Sequence, residues 1–371
     1  MTDIPPSAEL YFRPTAFVDA PFGLDDQVKR LAGGLLWFSA FEVIVVDGGK
    51  RVSAPLVPIT ELEGFLAGLG EGQAQAAAQT ITRIEAPRAP FTLGQRTLRF
   101  DEPIVAAILN CTPDSFSDGG KHDSDPQAAA DAGFAMASDG AALIDVGGES
   151  TRPGSADVWE GDEIERVVPV IEKLAASGIA VSIDTRKASV MEAALAAGAT
   201  IVNDVSGLRF DDRAVEAVAK AGCPVIVMHH PGKRDELHKN EEYSDPLVEV
   251  YDWLKDRVDA LVEAGIAREK IVVDPGIGFG KKVQHNLAVL NGLSLFHGIG
   301  CPIMLGASRK RLIGALSNEA SADERLGGSL ALVTQGAAQG VQLLRVHDVF
   351  ESIQALRIWR GLRDAALAPL V

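Results

Sequence analysis

Cysteine is scarce in this chain: three in 371 residues, Cys111, Cys223 and Cys301, far apart. That excludes a disulfide framework, and the spacing is not that of a metal-ligand set. A reducing cytoplasm is the expected compartment. Positive charge is the minority sign, with 35 Lys and Arg against 51 Asp and Glu and a formal net charge of −16. A broad basic face for nucleic acid is therefore not expected, and an anionic ligand would need local cations. Long apolar runs are also missing. None approaches the roughly 20 residues that span a bilayer. The opening stretch Met1–Thr15 lacks the basic-then-apolar pattern of a signal peptide, so no membrane partner is expected. What is present is 47% hydrophobic and 23% charged, the mixture of a soluble globular chain long enough for a large core.

From residue 104 onward one rhythm repeats. A short β-branched run is followed by a polar or glycine-rich turn and then an amphipathic stretch. The runs are Ile104–Leu109, Ala142–Val146, Ile179–Ile183, Thr200–Val202, Pro224–Met228, Ile271–Val273, Pro302–Leu305 and Val341–Arg345. Continuous apolar strands are buried on both faces, as in parallel sheets. Eight such units predict an α/β protein built as a TIM (β/α)8 barrel. A doubly wound open sheet is the alternative, but no GxGxxG follows the first strand. Helices are expected over Gln127–Ser138, Glu163–Ala176, Ala188–Ala197, Arg213–Lys220, Pro246–Ala264 and Glu324–Gln339.

Residues 1–92 lack this rhythm and read as an additional N-terminal α+β segment, with the barrel domain over 93–371. Glu42–Val46 and Arg51–Val57 flank Asp47-Gly48-Gly49, a hairpin signal. Thr60–Leu69 and Gln73–Thr82 read as helices, and Ala86–Pro90 as a linker. Phe91–Phe100 reads as a short hairpin around Gly94 that plugs the barrel floor. The first 92 residues hold no catalytic motif.

Barrel active sites lie at the C-terminal strand ends. Here every strand ends in a polar group: Asn110, Asp145, Asp184, Asn203, His229, Asp274, Ser308-Arg309-Lys310 and Arg345-Val346-His347-Asp348. One such residue reads as a helix cap; eight point to a site. The first two loops, Asn110–Gly120 and Gly147–Gly154, are rich in glycine, proline and hydroxyls. They bring Phe116, Asp118 and Arg152 to one mouth, a mixture suited to an anionic, aromatic ligand. Both read as mobile lids.

These motifs, with Ser182-Ile183-Asp184-Thr185, Asn203–Gly207, Asp274–Lys281, Ser308-Arg309-Lys310 and Arg345–Asp348, occur in order, once per strand. They resemble those of the dihydropteroate synthase family over roughly residues 95–365. The resemblance implies condensation of (7,8-dihydropterin-6-yl)methyl diphosphate with 4-aminobenzoate, giving dihydropteroate and diphosphate. It implies a pterin site of Asp184, Asn203, Met228, Asp274, Phe279 and Lys310. The three strand-end groups suit the donor and acceptor edge of a pterin, and Met228 and Phe279 can flank the ring, though Met228 reads equally as core. Lys310 is expected at the pterin carbonyl or ring nitrogen, paired with Asp274. Thr151, Arg152, Arg345 and His347 would hold the diphosphate, and Thr112, Pro113, Phe116, Arg309 and Arg311 the 4-aminobenzoate. Asp118, Lys310 and Asp274 are the implied catalytic residues, Asp118 steadying positive charge at the methylene. The resemblance also implies Mg2+ on Asn110, small-molecule substrates, and a homodimer through barrel helices.

The sequence departs from the family pattern twice. Many members carry a small Ser where Arg311 stands, so the side-chain contact to the carboxylate changes. After strand five the usual Met-His-Met is Met228-His229-His230, followed by a charged run. Two other readings are a pterin-binding methyltransferase domain and a non-catalytic barrel acting as a binding protein. The first would lack Thr112–Asp118, Ser150–Gly154 and Ser308–Lys310; the second would have lost some of Asp118, Arg152, Lys310 and Arg345. All are present.

Overall fold

The structure, a computed structural model, describes residues 4–94, 96–112, 125–150, 157–232, 236, 239 and 242–368. The N-terminal module contains β1 (Glu9–Val18), β2 (Lys29–Arg30), β3 (Trp37–Asp47), β4 (Lys50–Ser53), β5 (Leu56–Pro58), α1 (Leu62–Ala67) and α2 (Glu71–Glu85). β3 is the centre of an antiparallel sheet, with β1 along one edge and β2, β5 and β4 in turn along the other. β3 and β4 join through Gly48 and Gly49, both with positive φ, which a tight two-residue hairpin requires. Phe12, Phe38, Phe41 and Val43 pack with Ile81 and Ile84 of α2 into a core of the module's own. Sequence reasoning missed β1. Pro14 in its middle removes a ladder donor, and the strand tolerates this because it lies at the sheet edge.

The module does not hang on a free linker. Ala86–Pro90 forms neither helix nor strand, yet Arg88 is buried there, donating to the carbonyls of Arg83, Ala86 and His297. Tyr11, Ile44 and Val46 belong to the core of the barrel half. Tyr11 donates to Asp252 (2.8 Å), Ser294 donates to the Pro14 carbonyl (2.8 Å), and Arg51 pairs with Asp245.

The second half begins with the hairpin β6 (Phe91–Leu93) and β7 (Arg96–Leu98). It continues as β8 (Ile104–Asn110), α3 (Pro126–Ser138), β9 (Leu143–Gly147), α4 (Glu160–Ala176), β10 (Val181–Asp184), α5 (Ala188–Ala196), β11 (Ile201–Asp204) and α6 (Ala214–Ala221). Then come β12 (Val225–Met228), α7 (Pro246–Glu263), β13 (Ile271–Asp274), α8 (Val283–Asn291), β14 (Met304–Leu305), α9 (Arg311–Leu316), α10 (Leu326–Ala338), β15 (Leu343–Val346) and α11 (Val349–Leu367). The eight parallel strands run in the order β13-β12-β11-β10-β9-β8-β15-β14, and a parallel bridge between Val273 and Ile303 closes the ring. The expected barrel is therefore the observed fold. β14 is shorter than the run Pro302–Leu305 suggested.

Strand periodicity places the site. Phe91, Leu93, Leu98 and Phe100 of the hairpin pack against Ala106, Leu143, Ala180, Ile201, Ile226, Val272, Met304 and Leu343. These form the barrel floor that the sequence assigned to the hairpin. Side chains two residues on point to the same interior. Above the apolar floor those residues are Ile108, Asp145, Ser182, Asn203, Met228, Asp274, Gly306 and Arg345, five of the eight polar. A polar layer thus sits directly on an apolar one. No helix of the described residues is long and apolar enough to cross a membrane.

Candidate functional site

Asp145 is the hub of the polar layer. One oxygen accepts from Ser182 (2.5 Å) and the other from Asn203 Nδ2 (2.9 Å) and Arg345 Nε (2.6 Å). Arg345 Nη2 reaches on to Asp184 (2.6 Å), in the next layer towards the mouth. A guanidinium fork spanning two carboxylates fixes all three side chains. Burial pushes the Asp184 carboxyl up to about 7 against the pull of Arg345. Burial also raises Asp274, whose Oδ1 accepts from the Gly276 N–H (2.7 Å). Asn203 Oδ1 is buried and has no hydrogen-bond partner among the described residues.

The loop after β13 forms one wall. Met228, Phe279 and Val205 make a small apolar cluster of their own, apart from the main cores. Lys310 lies over the Phe279 ring, 4.0 Å from its centroid, and donates to the Ile277 carbonyl (2.5 Å). No ion pair joins Lys310 to Asp274 among the described residues, so the expected pairing gives way to a carbonyl contact. Burial lowers the Lys310 ammonium to about 8.

The structure therefore brings Asp184, Asn203, Met228, Asp274, Phe279 and Lys310 together. It joins Arg345 to this group through the carboxylates, whereas the sequence had grouped Arg345 with His347. His347 instead meets Ser308, both through its backbone N–H (3.2 Å) and through Nδ1 (3.1 Å). Arg309 has positive φ and engages both oxygens of Asp348 at the start of α11. Arg311 is exposed at the first turn of α9. Asn110 and Thr112 are half-buried at and just beyond the end of β8. Pro113, Phe116, Asp118, Thr151 and Arg152 lie outside the described residues.

Sequence reasoning noted Asp145 as a strand end but gave it no role. Its signal was a lone acid at an inward position of an apolar run. A second network was missed altogether. Buried Glu149 accepts from the Val158 N–H (3.0 Å) and pairs with Arg186 and Lys187, and Lys187 pairs with fully buried Glu163 (2.6 Å). These charges are far apart in sequence, so no local pattern reveals them.

Residues 106–347 match the sequence model of a family described as pterin binding enzyme. The chain is 43% identical over 263 residues to dihydropteroate synthase of Escherichia coli strain K12, covering 71% of this chain and 92% of that protein. It is 44% identical to dihydropteroate synthase of Bacillus subtilis strain 168, covering 67% and 85%. Among solved structures it is similar to Xanthomonas albilineans dihydropteroate synthase with 4-aminobenzoic acid. That match has a TM-score of 0.70 and 42% identity, and covers 74% of this chain and 98% of that one. The same enzyme in complex with 7,8-dihydropteroate matches at TM-score 0.67 and 39% identity, covering 74% and 99%.

Proposed function

The chain belongs to the dihydropteroate synthase family of pterin-binding enzymes, and from that premise we propose that it joins (7,8-dihydropterin-6-yl)methyl diphosphate to 4-aminobenzoate. The observation that carries the reading is Asn203. Its Nδ2 is fixed on Asp145 while its buried Oδ1 is left open. An unsatisfied buried acceptor costs about 1–3 kcal/mol, and a ligand N–H removes that cost. In this reading Asp184 and Asp274 take further N–H groups of the same flat edge. Met228 and Phe279 cover the ring, and Lys310 meets the pterin carbonyl or ring nitrogen. Arg345 holds Asp145 and Asp184 in place at the inner end of the diphosphate site, with His347, Thr151 and Arg152 along its length. Thr112, Pro113, Phe116, Arg309 and Arg311 are assigned to 4-aminobenzoate. Arg309 is then already engaged by Asp348, and Arg311 supplies charge and a backbone N–H at the first turn of α9 in place of a serine hydroxyl. The chemistry is assigned wholly to residues 93–371.

The reaction breaks the bond from methylene carbon to oxygen, and the electron pair leaves on diphosphate. The amine nitrogen of 4-aminobenzoate then bonds to that carbon and loses a proton. An aromatic amine is a weak nucleophile, and the dihydropterin ring delocalises the cation, so loss of diphosphate comes first. Asp118 steadies the cation and the cationic groups steady the leaving group, a division that preorganised charges favour.

Mg2+ keeps most of its waters and binds through phosphate oxygens, so it needs few protein donors. Asn110 offers one hard oxygen donor at the mouth, and among the described residues no group of three or more His, Cys, Asp or Glu is built to hold a metal ion. That donor set fits a cation arriving with the diphosphate, whose positive charge would neutralise the leaving group. A homodimer is supported by α11, which exposes Phe350, Ile358 and Leu362 at helical spacing. The free thiols suit a reducing cytoplasm.

The test is diphosphate release with both substrates present, together with calorimetric titration of the pterin substrate. Asp274→Ala should weaken pterin binding at least about tenfold, the scale of one lost buried partner. Unchanged affinity would remove Asp274 from the pterin site, and no release of diphosphate would remove the activity.

A further inference from the structure

The loop Asp274–Lys281 is wound through three left-handed glycines, Gly276, Gly278 and Gly280. The path is tight on both sides. A Cβ on Gly276 would lie 2.0 Å from the His229 carbonyl oxygen, and one on Gly278 would lie 2.9 Å from Lys310 Cδ. A backbone turned this way aims carbonyls inward, and each needs a donor. Two of them, Gly276 (2.9 Å) and Phe279 (3.1 Å), accept from a single buried ammonium, Lys281 Nζ. Its third contact is His229 Nδ1 at 2.8 Å. An ammonium has three donors and no acceptor. Burial lowers the Lys281 ammonium to about 7; in its protonated form all three donors are committed here, which makes His229 Nδ1 the acceptor and puts the imidazole proton on Nε2. His229 is fixed in turn against Trp253, their rings edge to face at 5.0 Å.

Between the two tethered carbonyls lies Ile277, whose own carbonyl receives Lys310, and the second tether is the carbonyl of Phe279 itself. Asn286 closes the far side, accepting from the Gly278 N–H and donating to the Lys281 carbonyl. We propose that Lys281 is a positioning residue for pterin recognition. Having no donor left for substrate, it sets the loop that aims the Phe279 ring and the Lys310 ammonium into the site. This rests on the pterin reading above. It goes beyond that reading in making the fifth strand, through His229, part of the same device.

The test uses the full chain with Lys281→Met, and with His229→Phe, which keeps a ring against Trp253 but removes the Nδ1 acceptor. Binding of (7,8-dihydropterin-6-yl)methyl diphosphate is titrated calorimetrically without 4-aminobenzoate, and KM for each substrate is measured beside the thermal midpoint. In Lys281→Met the pterin Kd should rise at least tenfold while KM for 4-aminobenzoate stays within threefold. In His229→Phe the pterin Kd should rise about threefold. A lowered midpoint with unchanged pterin Kd in either folded variant would overturn the proposal and leave the pterin reading standing. Should Lys281→Met fail to fold, His229→Phe decides alone. Failure of the unmutated chain to bind the pterin would sink the reading itself.

Discussion

The barrel mouth and the junction between the N-terminal module and the barrel both bury charged groups, but they bury them differently. At the mouth, charge meets charge. Asp145, Asp184 and Arg345 close on one another through side chains, and Asn203 keeps an open acceptor. At the junction, charge meets backbone. Arg88 donates to three carbonyls through Nη1 and Nη2, its buried Nε having no hydrogen-bond partner among the described residues, and His297 lies between Arg88 and the Gln339 carbonyl. Elsewhere on the junction Ile44 and Val46 pack into the barrel-half core, and Tyr11 packs there while donating to Asp252. The contrast separates a surface proposed to take a ligand from one already covered by the module. It also revises the sense in which residues 1–92 are an extension. The family match begins at residue 106, yet the module shares the core of the barrel half.

The strongest way to break the contrast is to remove the module. A chain starting near Pro90 loses the cover over Tyr251, Leu295 and Phe296, which pack in that shared core. Each large side chain exposed costs about 1.5–3 kcal/mol, against a total stability of about 5–15 kcal/mol. The truncated chain should therefore aggregate or melt many degrees lower; an unchanged melting curve would return residues 1–92 to the status of a tethered module. Next in size is Arg345→Met. It strands the buried Asp145 carboxylate and takes a partner from partly buried Asp184, a loss of about 3–5 kcal/mol when one member of a buried pair is removed. Denaturant unfolding should read that loss alongside lost activity, and a variant of normal stability would show that the mouth network is not held by Arg345.

The effect that is smallest near neutral pH sharpens the contrast as pH falls. Burial and the Arg88 charge lower His297 from 6.5 to about 3. The folded value lies below the unfolded one, so between them the unfolded chain binds the extra proton. The stabilisation is complete above pH 6.5 and is lost as pH falls towards 3, at about 1.4 kcal/mol per pH unit. His297→Gln should flatten stability over that window by that slope, and an unaltered profile would exclude a neutral buried imidazole at the junction.

The repeat of apolar run, turn and amphipathic stretch pointed to a parallel sheet, because strands buried on both faces read as continuous apolar runs, and the count of eight favoured a barrel over an open sheet. Polar strand ends marked the mouth for the same reason, since β-periodicity turns every second residue inward. Asp184, Asn203 and Asp274 were legible on that basis. β1 was not, because Pro14 disguises an edge strand whose pairing partners in β3 lie 19 to 37 residues further along the chain. Nor were the partners of Arg345, the turn of Lys310 towards Ile277 and not Asp274, or the burial of Lys281 and Arg88. Each depends on which backbone carbonyls and distant carboxylates arrive at one point, and local sequence carries no record of that. The sequence by itself determined the order of the barrel strands and the chemical types at the rim. Only the tertiary structure decided which charges neutralise one another, because a buried charge is stable only beside the partners that packing delivers.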